Sequence, residues 1–209
     1  MEEIWIPEQK TPHFYMPPHK LTTKTDITYL KKTLSQEDLN LFTCLYEQAQ
    51  KNPRKANAEI GRLHARYPKH PAILNLFSYV LLSLKKPKKA EKLIVKNYLY
   101  NPDNLLAKIN YGDFCLRKKR SHQIPIIFDQ KYQLRALYPS RQTFHIVEFR
   151  SFMTLMGWYF SAIKQKDIAL CYHYLAKRID PSHPQVNLLG KKLYALPWYK
   201  RFIGYQKPC

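Results

Sequence analysis

The sequence predicts an all-α fold, a solenoid of helical hairpins with about four repeats and a C-terminal capping helix. Three observations carry this. Apolar residues recur at helical spacing, prolines fall between the periodic stretches, and the pattern returns at an offset of 34 residues.

The offset is seen when residues 37–70 are laid over 71–104. Pro53 then falls on Pro87, Ala56 on Ala90, Ile60 on Ile94 and Pro68 on Pro102, with Lys51 on Lys85 and Lys55 on Lys89. Small residues at fixed places let two helices approach where they cross. Prolines suit the first turn of a helix and not its interior, so they mark the breaks.

In chain order, residues 1–34 read as an extended arm, with Pro7, Pro12, Pro17 and Pro18 among Trp5, Phe14 and Tyr15. The helical array spans 35–196. Ser35-Gln36-Glu37-Asp38 resembles a capping box, followed by Leu39, Phe42, Leu45, Tyr46 and Ala49 at helical spacing. Pro71 opens a strongly apolar helix (Ile73, Leu74, Leu76, Phe77, Val80, Leu81), and Pro87 opens its partner.

The third unit, 105–141, keeps the frame through Tyr111 and Gly112, but its closing Pro139 comes three residues late. Lys118–Gln123 is the loop expected to absorb the insertion, which puts Ile127 and Lys131 on the second helix's packing positions. Residues 139–143 form a longer joint before an aromatic-rich helix over Phe144–Ile163. A last helix over about 184–196 carries Val186, Leu189, Leu193 and Leu196 and would cover the open end of the array. The tail, 197–209, is basic and aromatic.

In this frame the chain resembles the tetratricopeptide-repeat (TPR) family. In 150–183, Gly157 holds the small position of the first helix, Ala169 and Ala176 those of the second, and Pro181 the closing proline. The same roles fall to Ser78, Ala90 and Pro102 in 71–104, and to Cys44, Ala56, Leu63 and Pro68 in 37–70. The resemblance implies a non-catalytic scaffold or chaperone-like protein that holds a partner segment in a concave groove. It assigns Asn75, Tyr79, Ile109, Asp113, Thr154 and Trp158 to that groove. The family's carboxylate clamp is not expected, because Leu41, Leu45 and Tyr79 occupy its positions.

Composition narrows the function. Only five glycines argue against dinucleotide- and phosphate-cradling folds. No G-x-S-x-G, P-loop, H-E-x-x-H or metal-site spacing is present, so no enzyme, cofactor, metal or small-molecule substrate is expected. Cys44, Cys115, Cys171 and Cys209 are widely spaced and read as reduced thiols of a cytoplasmic protein, the first three filling helical core. The acidic start, Met1-Glu2-Glu3, lacks a secretory pattern, and the longest uncharged apolar stretch, Ser151–Ile163, is short of the ~20 residues that span a bilayer.

Charge is the unusual property: 35 Lys and Arg against 15 Asp and Glu, a formal net charge of +20. The solenoid would gather Lys85, Lys86, Lys88, Lys89, Arg117, Lys118, Lys119 and Arg120 on one edge, with Lys200 and Arg201 at its end. That edge is expected to be nearly free of acids apart from Asp167. It reads either as a solvated flank or as a track for polyanions. A protein partner, an acidic or helical segment, is the first expectation and nucleic acid the rival. A membrane surface held by the Trp198–Tyr205 stretch is the weakest.

Overall fold

Proline and short polar side chains set where the helices begin. The computed structural model describes residues 3–24 and 27–195. Helix α1 (Thr28–Thr33) leads into α2 (Gln36–Lys51), whose N-cap Ser35 accepts a hydrogen bond from the Asp38 amide. Helices α3 (Pro53–Arg66), α4 (Pro71–Ser83) and α5 (Pro87–Tyr100) each start on proline, and Asn52 and Asn104 cap α3 and α6 (Leu105–Arg117).

Two short helices follow, α7 (Gln123–Ile127) and α8 (Leu134–Leu137). Then come α9 (Ile146–Ala162), α10 (Lys166–Ile179) and α11 (Pro184–Leu193). The hairpins α2/α3, α4/α5, α6/α7–α8 and α9/α10, closed by α11, form a TPR-like helical solenoid.

The small residues sit where the helices approach. Ala56, Ala90 and Ala169 are fully buried. A Cβ on Gly157 would lie 2.5 Å from Leu189 Cδ2 of α11 and 3.6 Å from the Ala169 carbonyl of α10, so this glycine admits both neighbours. Cys44 departs from its expected role: it is exposed. Helix α2 runs to Lys51 with only Asn52 before α3, whereas three residues separate α4 from α5. The longer α2 instead buries Phe42, Leu45 and Ala49. Cys115 is buried as expected, and Cys171 half-buried.

The remaining hairpin turns share one geometry without glycine. Lys85, Lys119 and Lys164 adopt left-handed backbone angles, φ 56°, 58° and 65°. In each, the next amide bonds back into the preceding helix: Lys86 to Leu81 O at 2.8 Å, Arg120 to Cys115 O at 2.8 Å and Gln165 to Phe160 O at 2.9 Å. This is the Schellman pattern that satisfies the last carbonyls of a helix.

The third unit corrects the expected frame. Its first turn is as regular as its neighbours', so Lys118–Gln123 absorbs nothing. Ile124 stands 34 residues after Ala90, and Phe128 34 after Ile94; both are fully buried, and Ile124 lies against Gly112. The extra residues come afterwards, where Asp129 and Gln130 both turn left-handed (φ 49° and 56°). One second helix therefore becomes two short ones. The packing survives and the helix does not.

The arm is not merely extended. Strands β1 (Glu3–Ile6) and β4 (His19–Thr22) pair antiparallel, and β2 (Gln9–Thr11) and β3 (Phe14–Met16) form a hairpin. Strand β4 also pairs in parallel with β5 (Thr143–His145), in the joint before α9, with Lys20 opposite Thr143 and Thr22 opposite His145. Alternation sends Ile6, Leu21 and Phe144 into the core shared by α6, α9, α10 and α11. Phe14 meets Tyr172 edge-on at 5.0 Å, and fully buried His19 meets Phe149 at 5.3 Å. These strands lie outside the helical repeats.

A separate core joins α1, α2, α3 and α4 through Leu30, Leu34, Phe42, Ile60 and Ile73. Among the described residues, no helix is long and apolar enough to cross a membrane.

Candidate interaction groove and basic edge

The first helices of the second and third hairpins, α4 and α6, are held in register by amides. Asn75 Oδ1 accepts from Asn97 Nδ2 at 2.8 Å and from Asn110 Nδ2 at 3.0 Å. Asn97, on α5 and almost wholly buried, also donates to Pro71 O at 3.3 Å and accepts from Asn101 Nδ2 at 2.9 Å. The ladder is a polar seam whose members satisfy one another, which buried amides require. Asn75, expected to face a partner, has its carbonyl oxygen committed to this seam.

Helical periodicity carries the register onward. One turn past Asn75 stands Tyr79, and one turn past Asn110 stand Asp113 and Phe114. A further turn brings Leu82 on α4 and Arg117 on α6. Tyr79 is 47% exposed and Leu82 41%, which is unusual on a helix as apolar as α4. Asp113 accepts from Arg117 Nε at 2.9 Å, so the strip ends on an ion pair.

Other expected groove residues are placed differently. Ile109 is buried in the core with α9, and Thr154 is buried with its hydroxyl donating to Arg150 O at 2.8 Å. Neither offers a surface. Trp158 is half-buried under Lys192 of α11, whose Nζ lies 4.9 Å from the ring centre. The capping helix thus shades the groove position of the fourth hairpin. Tyr79 and Asp113 are exposed on the two helices that the Asn75–Asn110 bond joins, whereas Ile109 and Thr154 are buried and Trp158 is half-buried.

The basic edge is real as a set of exposed residues but mixed in charge. Lys85, Lys86, Lys88, Lys89, Arg117, Lys118, Lys119 and Arg120 are all exposed. Lys118 Nζ lies 3.0 Å from Glu91 Oε1, and Arg117 Nη1 lies 3.9 Å from the same oxygen. These contacts bring the α4–α5 and α6–α7 turns side by side. They also correct the expectation of an edge nearly free of acids apart from Asp167, because Glu91 and Asp113 engage two of its cations. Lys200 and Arg201 lie outside the described residues.

The sequence had no signal for the amide seam, since Asn75, Asn97, Asn101 and Asn110 share no repeat spacing. Near the edge, burial pushes the Cys115 thiol up, and burial likewise raises Tyr111, which is stacked on Tyr98 at 4.4 Å. A buried, poorly ionised thiol is a packing group. Among the described residues, no group of three or more His, Cys, Asp or Glu is placed to hold a metal ion.

No protein-family model and no curated protein matches the chain. Among solved structures, the chain is similar to one titled "MamA RS-1 ArsTM double mutant", with 14% identity and a TM-score of 0.47. The match covers 77% of this chain and 94% of that one.

Proposed function

We propose that the protein is a non-catalytic interaction scaffold that holds a segment of a protein partner along α4 and α6 in a reducing, cytoplasmic setting. The observation that carries this is that Tyr79 and Leu82 on α4 and Asp113 and Arg117 on α6 are all exposed, on two helices joined by the Asn75–Asn110 hydrogen bond. Aromatic and apolar groups flanked by fixed charges suit protein recognition, the ring supplying contact area and the charges orientation. The seam beneath keeps the strip rigid, which limits the entropy lost on binding.

The test is affinity capture from the native cell with the full chain and with a Tyr79→Ala/Asp113→Ala variant, each with and without nuclease. Partners lost with the variant and kept after nuclease support the scaffold. Partners untouched by the variant refute the strip. Nucleic acid is the second reading, favoured by the exposed lysines of the edge, and partners that vanish on nuclease treatment would support it instead.

A further inference from the structure

The edge divides into neutralised and free cations, and the division points to a ligand. Arg117 and Lys118 are engaged by Asp113 and Glu91. Among the described residues, no ion pair reaches Lys85, Lys86, Lys88, Lys89, Lys119 or Arg120. Helix α5 has no acid in its first turn. The Lys118–Glu91 contact joins the α6–α7 turn to α5, the helix that Lys88 and Lys89 open. Six exposed cations without an ion pair therefore lie in and beside two turns that an ion pair links, and a bound anion would relieve their mutual repulsion.

We infer that these six cations dock an acidic peptide segment of the partner, one with apolar side chains among its carboxylates. The inference rests on the scaffold reading and adds the partner's chemistry. The choice of peptide over nucleic acid comes from the neighbours. Exposed Leu82 lies less than one helical turn before Lys85, and Tyr79 one turn earlier. An acidic peptide can cover both with aliphatic or aromatic side chains while its carboxylates reach the lysines. A single strand can stack a base on Tyr79, but planar bases and a charged backbone match the aliphatic Leu82 poorly. Glu91 sets how many cations are available, because it withholds Lys118 and partly Arg117.

The test measures fluorescence anisotropy of a labelled glutamate-rich peptide containing leucines, against its glutamine counterpart and a single-stranded RNA. Wild type should bind the glutamate peptide, and less tightly as salt rises. Lys86→Glu/Lys88→Glu/Lys89→Glu should weaken binding about tenfold or more, since reversed charges repel carboxylates. Lys118→Gln should change it by less than about twofold, its charge being already engaged. Glu91→Gln should tighten it about two- to fivefold by releasing Lys118 and Arg117.

Circular dichroism and thermal melts confirm that each variant folds. The acidic-peptide inference is overturned if wild type does not discriminate glutamate from glutamine, if Glu91→Gln weakens binding, or if RNA binds more tightly. Should the lysine variant bind normally while Tyr79→Ala does not, the inference falls and the groove reading stands. If only Tyr79→Ala is without effect, the groove fails and the cation site remains.

Discussion

Three turns built on lysine in a glycine conformation make a direct test of the helical frame. Lys85, Lys119 and Lys164 hold φ between 56° and 65°, where a Cβ crowds the backbone. A left-handed non-glycine residue costs about 1–2 kcal/mol, and glycine removes that cost. Glycine also gives the unfolded chain more freedom to lose, about 0.5–1 kcal/mol. The net expectation is a gain of about 0.5–1 kcal/mol for each of Lys85→Gly, Lys119→Gly and Lys164→Gly.

The three sites lie in separate turns, so the gains should add to about 2 kcal/mol. For a chain of this size that raises the thermal midpoint by roughly 4–8 °C. The control is Lys92→Gly, exposed and past the first turn of α5, which should lose about 1 kcal/mol because glycine is unfavourable within a helix. Urea titration followed by circular dichroism gives both values. An unchanged or lowered midpoint in the triple variant, with normal folding, would refute the assigned turn geometry.

Two further outcomes follow from buried polar groups. His19, His70 and His173 are buried, and burial lowers the pKa of each below the ordinary 6.5. Protons then bind the unfolded chain first, so stability is full above pH 6.5 and falls as pH drops toward the folded values. Urea midpoints measured from pH 7.5 to 5 (about one unit above 6.5 and one and a half below) should show this decline, less steeply in His19→Asn. A pH-independent midpoint would contradict the burial of these rings. Separately, Asn97→Ala removes the donor to Asn75 and Pro71 and should cost about 1–3 kcal/mol by chemical denaturation. A change under about 0.5 kcal/mol would show that the seam is not structural.

What the sequence revealed was local and periodic. The prolines opening α3, α4, α5 and α11, the buried alanines and the Ser35 cap each act through the chain beside them. A fixed repeat therefore exposes them. The left-handed lysines were hidden because glycine usually marks that conformation, and here a lysine bears the strain. Pro139 misplaces the insertion because extra residues displace it, whereas Ile124 and Phe128 stay in step with the repeat.

The strands were invisible for another reason. β4 finds its partner in β5, more than a hundred residues away, and neither exceeds four residues. No local pattern reports so distant a pairing. At the site, Tyr79 and the lysines were legible as types at positions. The division of the edge was not, because Glu91 reaches Lys118 from a different helix.

The parallel pairing of β4 with β5 changes what kind of solenoid this is. An open array can melt one repeat at a time from either end. Here the leading segment is buckled onto the fourth hairpin, while the helix that follows it, α1, is anchored on the first. Fraying of the fourth hairpin therefore releases the leading strands as well, and these two parts of the chain should denature together. The closure also favours slow folding, since the buckle fastens only after a very long loop has been brought together.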